Sequence, residues 1–355
     1  VTSPLERAGL RPRVDKALAA FLAAQRTRLL AIDDALADVA DALEAFVLRG
    51  GKRLRPAFAY WGYRGAGGID SDHVVTAVAA LELVQAGALI HDDLMDRSDT
   101  RRGEPSVHKR FAARHAAAAW RGPAGAFGDN AAVLLGDLAL VWSDELLHGS
   151  GVALEDLARA RPVFDEMRTE VTVGQYLDVL TPVTGDTSAA RASKVARYKS
   201  AKYTVERPLL MGAALAAATP AQLAAYSGFG LPLGEAFQLR DDVLGVFGDP
   251  EVTGKPAGDD LREGKRTYLI AAAYETLSAA GRAEVERGLG DPGLDEQGVS
   301  RLRAIITGSG APARTEARIA ALTEEALAAL EAAEVEPEAR AVLLELADAA
   351  VRRTV

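Results

Sequence analysis

The stretch VVTAVAALELVQAGALIHDDLMDRSDTRRG, residues 74–103, decides how the rest of the chain is read. It starts as a nearly continuous apolar run and ends in Asp92, Asp93 and Asp96, followed by Arg101 and Arg102. The run holds Glu82 and Gln85 and falls short of the ~20 apolar residues a bilayer span needs, so it predicts a buried core helix. Residues four apart on a helix share a face, so Asp92 and Asp96 stack while Asp93 points about 100° aside. Stacked carboxylates at a helix C-terminus meet the negative end of the macrodipole, and nothing nearby in sequence neutralises them. Taken alone, the cluster reads as a solvated helix end. The sharper alternative is a hard dication: Mg²⁺ takes oxygen ligands, typically one or two carboxylates with water and phosphate.

A second copy of the pattern shifts the balance. Residues 237–249, FQLRDDVLGVFGD, again end an apolar helical segment in adjacent aspartates, Asp241 and Asp242. Two such ends facing one cavity would hold Mg²⁺ ions that clamp a diphosphate as a leaving group. Cations suited to phosphate lie in Gly-rich breaks: Lys52, Arg53 and Arg55 in GGKRLRP, Arg101 and Arg102 in DTRRG, and Lys255 and Lys265 in the loop 248–266, with Lys202 in SAKYT. Arginine supplies a planar fork for phosphate and lysine a point charge. The charged loop has the character of a lid. It is not a P-loop, because Arg266 stands where Ser or Thr is required and no strand precedes it.

Around these motifs the chain is helical by pattern. Apolar residues recur at three- and four-residue intervals over 14–48, 74–95, 131–147, 152–179, 192–217, 220–246, 269–288 and 313–351. Ser71 and the Thr219–Pro220 pair mark helix starts. No alternating β-branched run predicts a sheet, and no break is long enough for a linker, so the expectation is one all-α domain over residues 1–355. The 355 residues carry a net charge of −9, which gives no reason to bind nucleic acid. Cysteine is absent and there are five scattered histidines, which excludes disulfides, thiolate nucleophiles and Cys-based zinc sites. With charges interrupting the N-terminal segment, the expectation is a soluble, cytoplasmic protein, not a membrane protein.

In their order and spacing, GGKRLRP, LIHDDLMDRSDTRRGEPSVH, LLGDLAL, GQYLDV, KSAKYT, FQLRDD and GKPAGDDLREGKRT resemble the trans-isoprenyl diphosphate synthases, the polyprenyl synthetase family. The resemblance covers nearly the whole chain. It implies a single helical bundle around a deep central cavity (the isoprenoid synthase type I fold) and a homodimer. It implies Mg²⁺-dependent head-to-tail condensation of isopentenyl diphosphate with an allylic diphosphate, using three ions. Asp92, Asp96 and Asp241 would bind metal, supported by Asp93 and Asp242. Arg101, Lys202, Gln238, Lys255 and Lys265 would hold the allylic diphosphate, and Lys52, Arg55, Gln85 and Arg102 the isopentenyl diphosphate. Gln175 and Asp178 match GQxxD, which lines the site near the carbocation.

The chain also departs from the family pattern. Gly245 replaces the third Asp of the second motif, with Asp249 as a candidate substitute, and Tyr203 stands where Thr commonly follows the lysine. Below the first motif, Gly87 and Ala88 occupy positions where bulky aromatics stop chains at fifteen carbons, with Val84 deeper. These small residues predict geranylgeranyl diphosphate (C20) or longer; alternatively they only allow close helix packing. Tyr176 or Phe164 could instead build the floor. The rivals are a class I terpene cyclase, whose second motif does not fit in either register, and a non-catalytic subunit, which would usually lose the first motif.

Overall fold

The computed structural model describes residues 4–248, 258–291 and 293–352, with backbone only at residues 4–6. After a 3-10 turn at Pro4–Gly9 come α1 (Leu10–Ile32), a second such turn (Asp34–Leu36), α2 (Ala37–Leu48), α3 (Leu54–Gly65) and α4 (Asp72–Met95). A two-strand antiparallel ribbon, β1 (Thr100–Arg101) and β2 (Glu104–Pro105), precedes α5 (Val107–Ala117), α6 (Ala124–His148) and α7 (Leu154–Thr184). Next, α8 (Ala189–Val195) runs into a π-helix (Ala196–Glu206) and then α9 (Arg207–Leu215). The remaining elements are α10 (Pro220–Phe247), α11 (Asp259–Glu263), α12 (Tyr268–Thr276), α13 (Ala279–Gly288), α14 (Glu296–Gly308), α15 (Ala311–Glu331) and α16 (Pro337–Val351).

The all-α expectation holds, and the helix starts follow their local chemistry. Ser71 Oγ accepts from Val74 N at the head of α4. Thr219 and Gln222 form a capping box at the head of α10, with Pro220 in the first turn. The segment 14–48 is two helices, because Asp33 is extended and its side chain accepts from Ala35 N at 2.8 Å. The segment 269–288 likewise breaks at Leu277, after which Ser278 caps α13. The ribbon at residues 100–105 corrects the expectation of no sheet. Its turn is made by Arg102 (φ 55°) and Gly103 (φ 77°), and its strands are too short for alternation to be visible in sequence.

By contacts the chain divides into two compact units. The first holds the described chain up to Phe164, with Pro208–Ala218 and Glu336–Val342. At its centre α4 packs against α1, α3 and α6, and Phe58, Tyr60, Trp61, Leu81 and Leu83 are fully buried. Each such side chain contributes ~1.5–3 kcal/mol by leaving water. By length and composition α4 and α6 could each cross a membrane; α4 is a core helix, whereas α6 keeps Phe127, Leu134 and Val141 exposed. The second unit holds Asp165–Arg207, Thr219–Val335 and the described chain from Leu343. There α10 packs against α15 and the π-helix, and Leu261, Leu269, Leu302 and Ile306 belong to a core built by α11, α12 and α14.

Candidate active site

The first acidic motif sits in the closing turn of α4. Asp96 N donates to Asp92 O at 2.8 Å and Ser98 N donates to Asp93 O at 2.9 Å, which fixes the turn. Asp93 points inward and is 0% exposed. Its Oδ1 accepts from Arg101 Nε at 2.8 Å, and Arg101 Nη2 contacts the same oxygen. The same guanidinium lies 3.6 Å from Asp92 Oδ2. This corrects the expectation that nothing nearby in sequence neutralises the acidic end, because the ribbon folds Arg101 back onto it. Asp93 is thus a buried anion held by arginine. Asp92 and Asp96 stay half-buried, one turn apart.

Arg102, the next residue, goes elsewhere. Its Nη1 donates to Arg49 O at 3.0 Å, and its side chain lies along Gly50 and Gly51. Burial lowers the Arg102 pKa and Glu82 opposes that, while Arg53, Arg101 and Arg55 lower it further. The structure therefore gathers cations from two distant segments, and like charge crowds there. Arg53 anchors the loop to α4. It is 4% exposed and donates to Glu82 Oε2 at 2.6 Å, Asp15 Oδ1 at 2.8 Å and Val47 O at 2.8 Å. The pairing accounts for the one carboxylate in the apolar run. Lys52 is exposed and Arg55 half-buried. A cleft of about 930 Å³ reaches Arg101 and Arg102, bordered by Arg49, Gly50, Glu104 and Arg110.

Along α4, Gln85 lies seven residues before Asp92 and so near its face. Ala88, one turn before Asp92, is half-buried, and Val84 is fully buried. At Gly87 the structure favours the packing alternative. A Cβ on it would stand 2.8 Å from Leu140 Cγ and 2.9 Å from Gly136 O, so its small size serves the packing of α4 on α6. Five residues from Asp92, it is turned ~140° away. One turn on, His91 fills a notch at Gly136, where a Cβ would meet its Nε2 at 2.1 Å, and that nitrogen lies 3.1 Å from Val133 O.

In the second unit, the last two turns of α10 carry Asp241, half-buried, and Asp242, buried. Asp242 Oδ1 accepts from Gln238 Nε2 at 2.7 Å, so Gln238 is committed to that carboxyl. Burial pushes the Asp242 carboxyl up to about 8; the Gln238 bond opposes this, and repulsion from Asp260 and Asp241 adds to it. Burial therefore favours the protonated form of Asp242 in the metal-free site. At Gly245 a Cβ would lie 1.8 Å from Asp260 Oδ2. The space where a third motif side chain would begin is occupied by a carboxylate arriving from α11. Lys265 Nζ lies 3.5 Å from Asp260 Oδ1 and also pairs with Glu263. Lys255 and Asp249 lie outside the described residues.

Lys202 is not presented as expected. Its Nζ donates to Glu170 Oε1 at 2.8 Å and lies 3.3 Å from Glu206 Oε2, and its side chain is 13% exposed. Burial would raise the Glu170 pKa, but hydrogen bonds from Arg207 and Lys202 outweigh it and hold the carboxyl below its ordinary value. Lys199, the first residue of KSAKYT and not the lysine chosen from that motif, is the one that meets GQxxD: its Nζ donates to Asp178 Oδ2 at 2.6 Å. The half-buried Ser200 follows it, and Gln175 is half-buried on the same helix as Asp178. Tyr203 is buried.

Every acidic donor in the two motifs is a carboxylate oxygen, the ligand Mg²⁺ prefers. Among the described residues no three His, Asp or Glu side chains form a group that could hold an ion. Mg²⁺ commonly keeps one or two carboxylates and completes its shell with water and phosphate. Asp92 with Asp96, and Asp241, fit that role; Asp93 and Asp242 are committed to Arg101 and Gln238.

Comparison with known proteins agrees with this chemistry. The family model described as polyprenyl synthetase matches residues 37–306. A geranylfarnesyl diphosphate synthase of Aeropyrum pernix is 34% identical over 281 residues, 78% of this chain and 82% of that protein. A geranylgeranyl diphosphate synthase of Mycobacterium tuberculosis is 32% identical, covering 77% of this chain and 75% of its own. A Corynebacterium glutamicum geranylgeranyl pyrophosphate synthase, solved with isoprenyl diphosphate and magnesium, superposes with a TM-score of 0.94 at 41% identity, over 97% of this chain and 99% of that one. Aspartate-ended helices, gathered arginines and sequence likeness point the same way, and the chain belongs to the polyprenyl synthetase family.

Proposed function

We propose that the protein condenses isopentenyl diphosphate head-to-tail with an allylic diphosphate, giving a trans-polyprenyl diphosphate of C20 or longer. The observation that carries this is Arg101, which pairs with Asp93 and lies 3.6 Å from Asp92 while Arg102, Arg53 and Arg55 crowd next to it, since crowded cations reaching a hard-metal motif call for a polyanionic substrate. In this reading residues 1–355 act as one polyprenyl synthetase domain that works with three Mg²⁺ ions. Bound Mg²⁺ supplies positive charge to the departing diphosphate. Asp92, Asp96 and Asp241 hold it, and Asp260 stands in for the third aspartate that Gly245 lacks.

The chain's own groups do the rest. Arg101, Lys199 and Lys265 grip the allylic diphosphate, with Lys255 as a further cation, while Lys202 stays paired with Glu170 and Glu206. Lys52, Arg55, Arg102 and Gln85 seat the isopentenyl diphosphate. The allylic C–O bond breaks, the double bond of isopentenyl diphosphate attacks the allylic carbon, and the proton leaves to the released diphosphate. Asp178 and Gln175 face the cation. The half-buried Ala88 on the Asp92 side supports a product that grows past fifteen carbons. Release of inorganic diphosphate tests the reaction: it requires both substrates and Mg²⁺ together, and release from the allylic substrate alone would contradict condensation.

Two further features belong to this reading: a cytoplasmic protein and a homodimer. Phe127, Leu134 and Val141 recur every seven residues on one exposed face of α6, which suits a second copy of the chain. Sedimentation should give twice the chain mass, and Leu134→Glu should shift it toward monomer; a monomeric wild type would remove the dimer from the account.

A further inference from the structure

The π-helix is unusual backbone. It runs for 11 residues, whereas π-helical segments are rare, usually one turn, and frequent at functional sites. Its neighbours account for it. A Cβ on Gly174 of α7 would stand 2.3 Å from Lys199 N, and one on Gly234 of α10 would stand 2.5 Å from Ala201 O. Glycines on two helices thus let backbone close on backbone from two directions.

On α7, Glu170, Gly174 and Asp178 are spaced by four and share a face. Below the glycine contact, Glu170 accepts from Arg207 Nε at 2.6 Å, Arg207 Nη2 at 2.9 Å and Lys202 Nζ at 2.8 Å. Above it, Asp178 accepts from Lys199 Nζ at 2.6 Å. If one wide turn between these anchors closed to an α-turn, one end would rotate against the other by about one residue, ~100°. The two sets of ion pairs could not then both form.

We propose that Glu170 is a positioning residue: by binding Lys202 and Arg207 together, it holds the π-helical register in which Lys199 meets Asp178. What Lys199 then does rests on the prenyl-transfer reading. The Glu170–Lys202 pair is 13% exposed on each side and the Lys199–Asp178 pair 23%. The inner pair is the fixed end. It is completed by Glu206, which accepts from Ser227 Oγ at 2.5 Å and lies 3.3 Å from Lys202. The outer pair is the working end, where Lys199 exchanges Asp178 for a diphosphate oxygen.

The test uses the full-length protein with Glu170→Gln, Lys199→Ala and the double variant. Two readouts are taken: steady-state KM for each substrate, and amide hydrogen exchange over residues 196–206. Glu170→Gln should raise the allylic KM about tenfold, leave the isopentenyl KM within about twofold, and speed exchange in the π-helix. The double variant should be no worse than Lys199→Ala alone, because both act through one lysine. Lys202→Met, uncharged and of similar length, should repeat the pattern if Glu170→Gln does not fold. Unchanged exchange, equal rises in both KM values, or full additivity with Lys199→Ala would overturn the proposal. A wild type without condensation activity would instead remove the prenyl-transfer reading, while the exchange readout would still report whether Glu170 holds the π-helix.

Discussion

The ends of α4 and α10 carry the same two adjacent aspartates, and each buries the second of the pair. They neutralise it differently. On α4, Asp93 is held by the guanidinium of Arg101, delivered by the ribbon. On α10, Asp242 is held by the Gln238 amide, and burial favours its protonated form, with its pKa pushed up to about 8. One end is an ion pair inside a charged niche; the other is a buried carboxyl whose protonated form is favoured, near a second carboxylate, Asp260, imported to the place that Gly245 vacates. The same motif in sequence is thus two different electrostatic devices. The more exposed member of each pair, Asp92 or Asp241, is what they have in common.

That contrast can be broken most easily with isosteric substitutions. Asp92→Asn should cost about 10³-fold in kcat, the scale of losing a charged group that acts on the leaving group. Asp242→Asn should cost under about tenfold, because an amide imitates a protonated carboxyl. Equal losses at the two positions would mean that Asp242 works ionised. Arg101→Gln should destabilise the fold by about 3 kcal/mol in urea titrations, since it strands the buried Asp93 charge; loss of activity with unchanged stability would show that Arg101 matters only to substrate. Gly245→Asp, which would restore the family motif, should instead lower activity several-fold, because its Cβ meets Asp260. Adding Asp260→Ala should recover part of the loss. If Gly245→Asp alone raised activity, Asp260 would not be the substitute.

Much of this is legible in the chain. The helices follow from periodicity, and their starts from Ser71 and Pro220. The aspartate motifs follow from residue type and order, and the partnership of GGKRLRP with Arg102 follows from the family resemblance. The place of Gly87 is legible too, since counting ~100° per residue turns it away from Asp92, against the pocket role that its motif position suggests. The choice between Lys199 and Lys202 is not readable. Periodicity assumes α-helical turns, and a π-helix changes which residues share a face without leaving a compositional mark. Asp260 is hidden for another reason: its place beside Gly245 is a tertiary contact between α10 and α11.

The most direct test of prenyl elongation is to size the product. The purified protein, Mg²⁺ and isopentenyl diphosphate are incubated with dimethylallyl, geranyl or farnesyl diphosphate in turn, and the dephosphorylated alcohols are weighed by mass spectrometry. The account predicts an alcohol of C20 or longer from each starter. A dominant C15 alcohol would contradict the pocket argument from Ala88. A hydrocarbon formed without isopentenyl diphosphate, or no product from any starter, would contradict the proposed reaction itself.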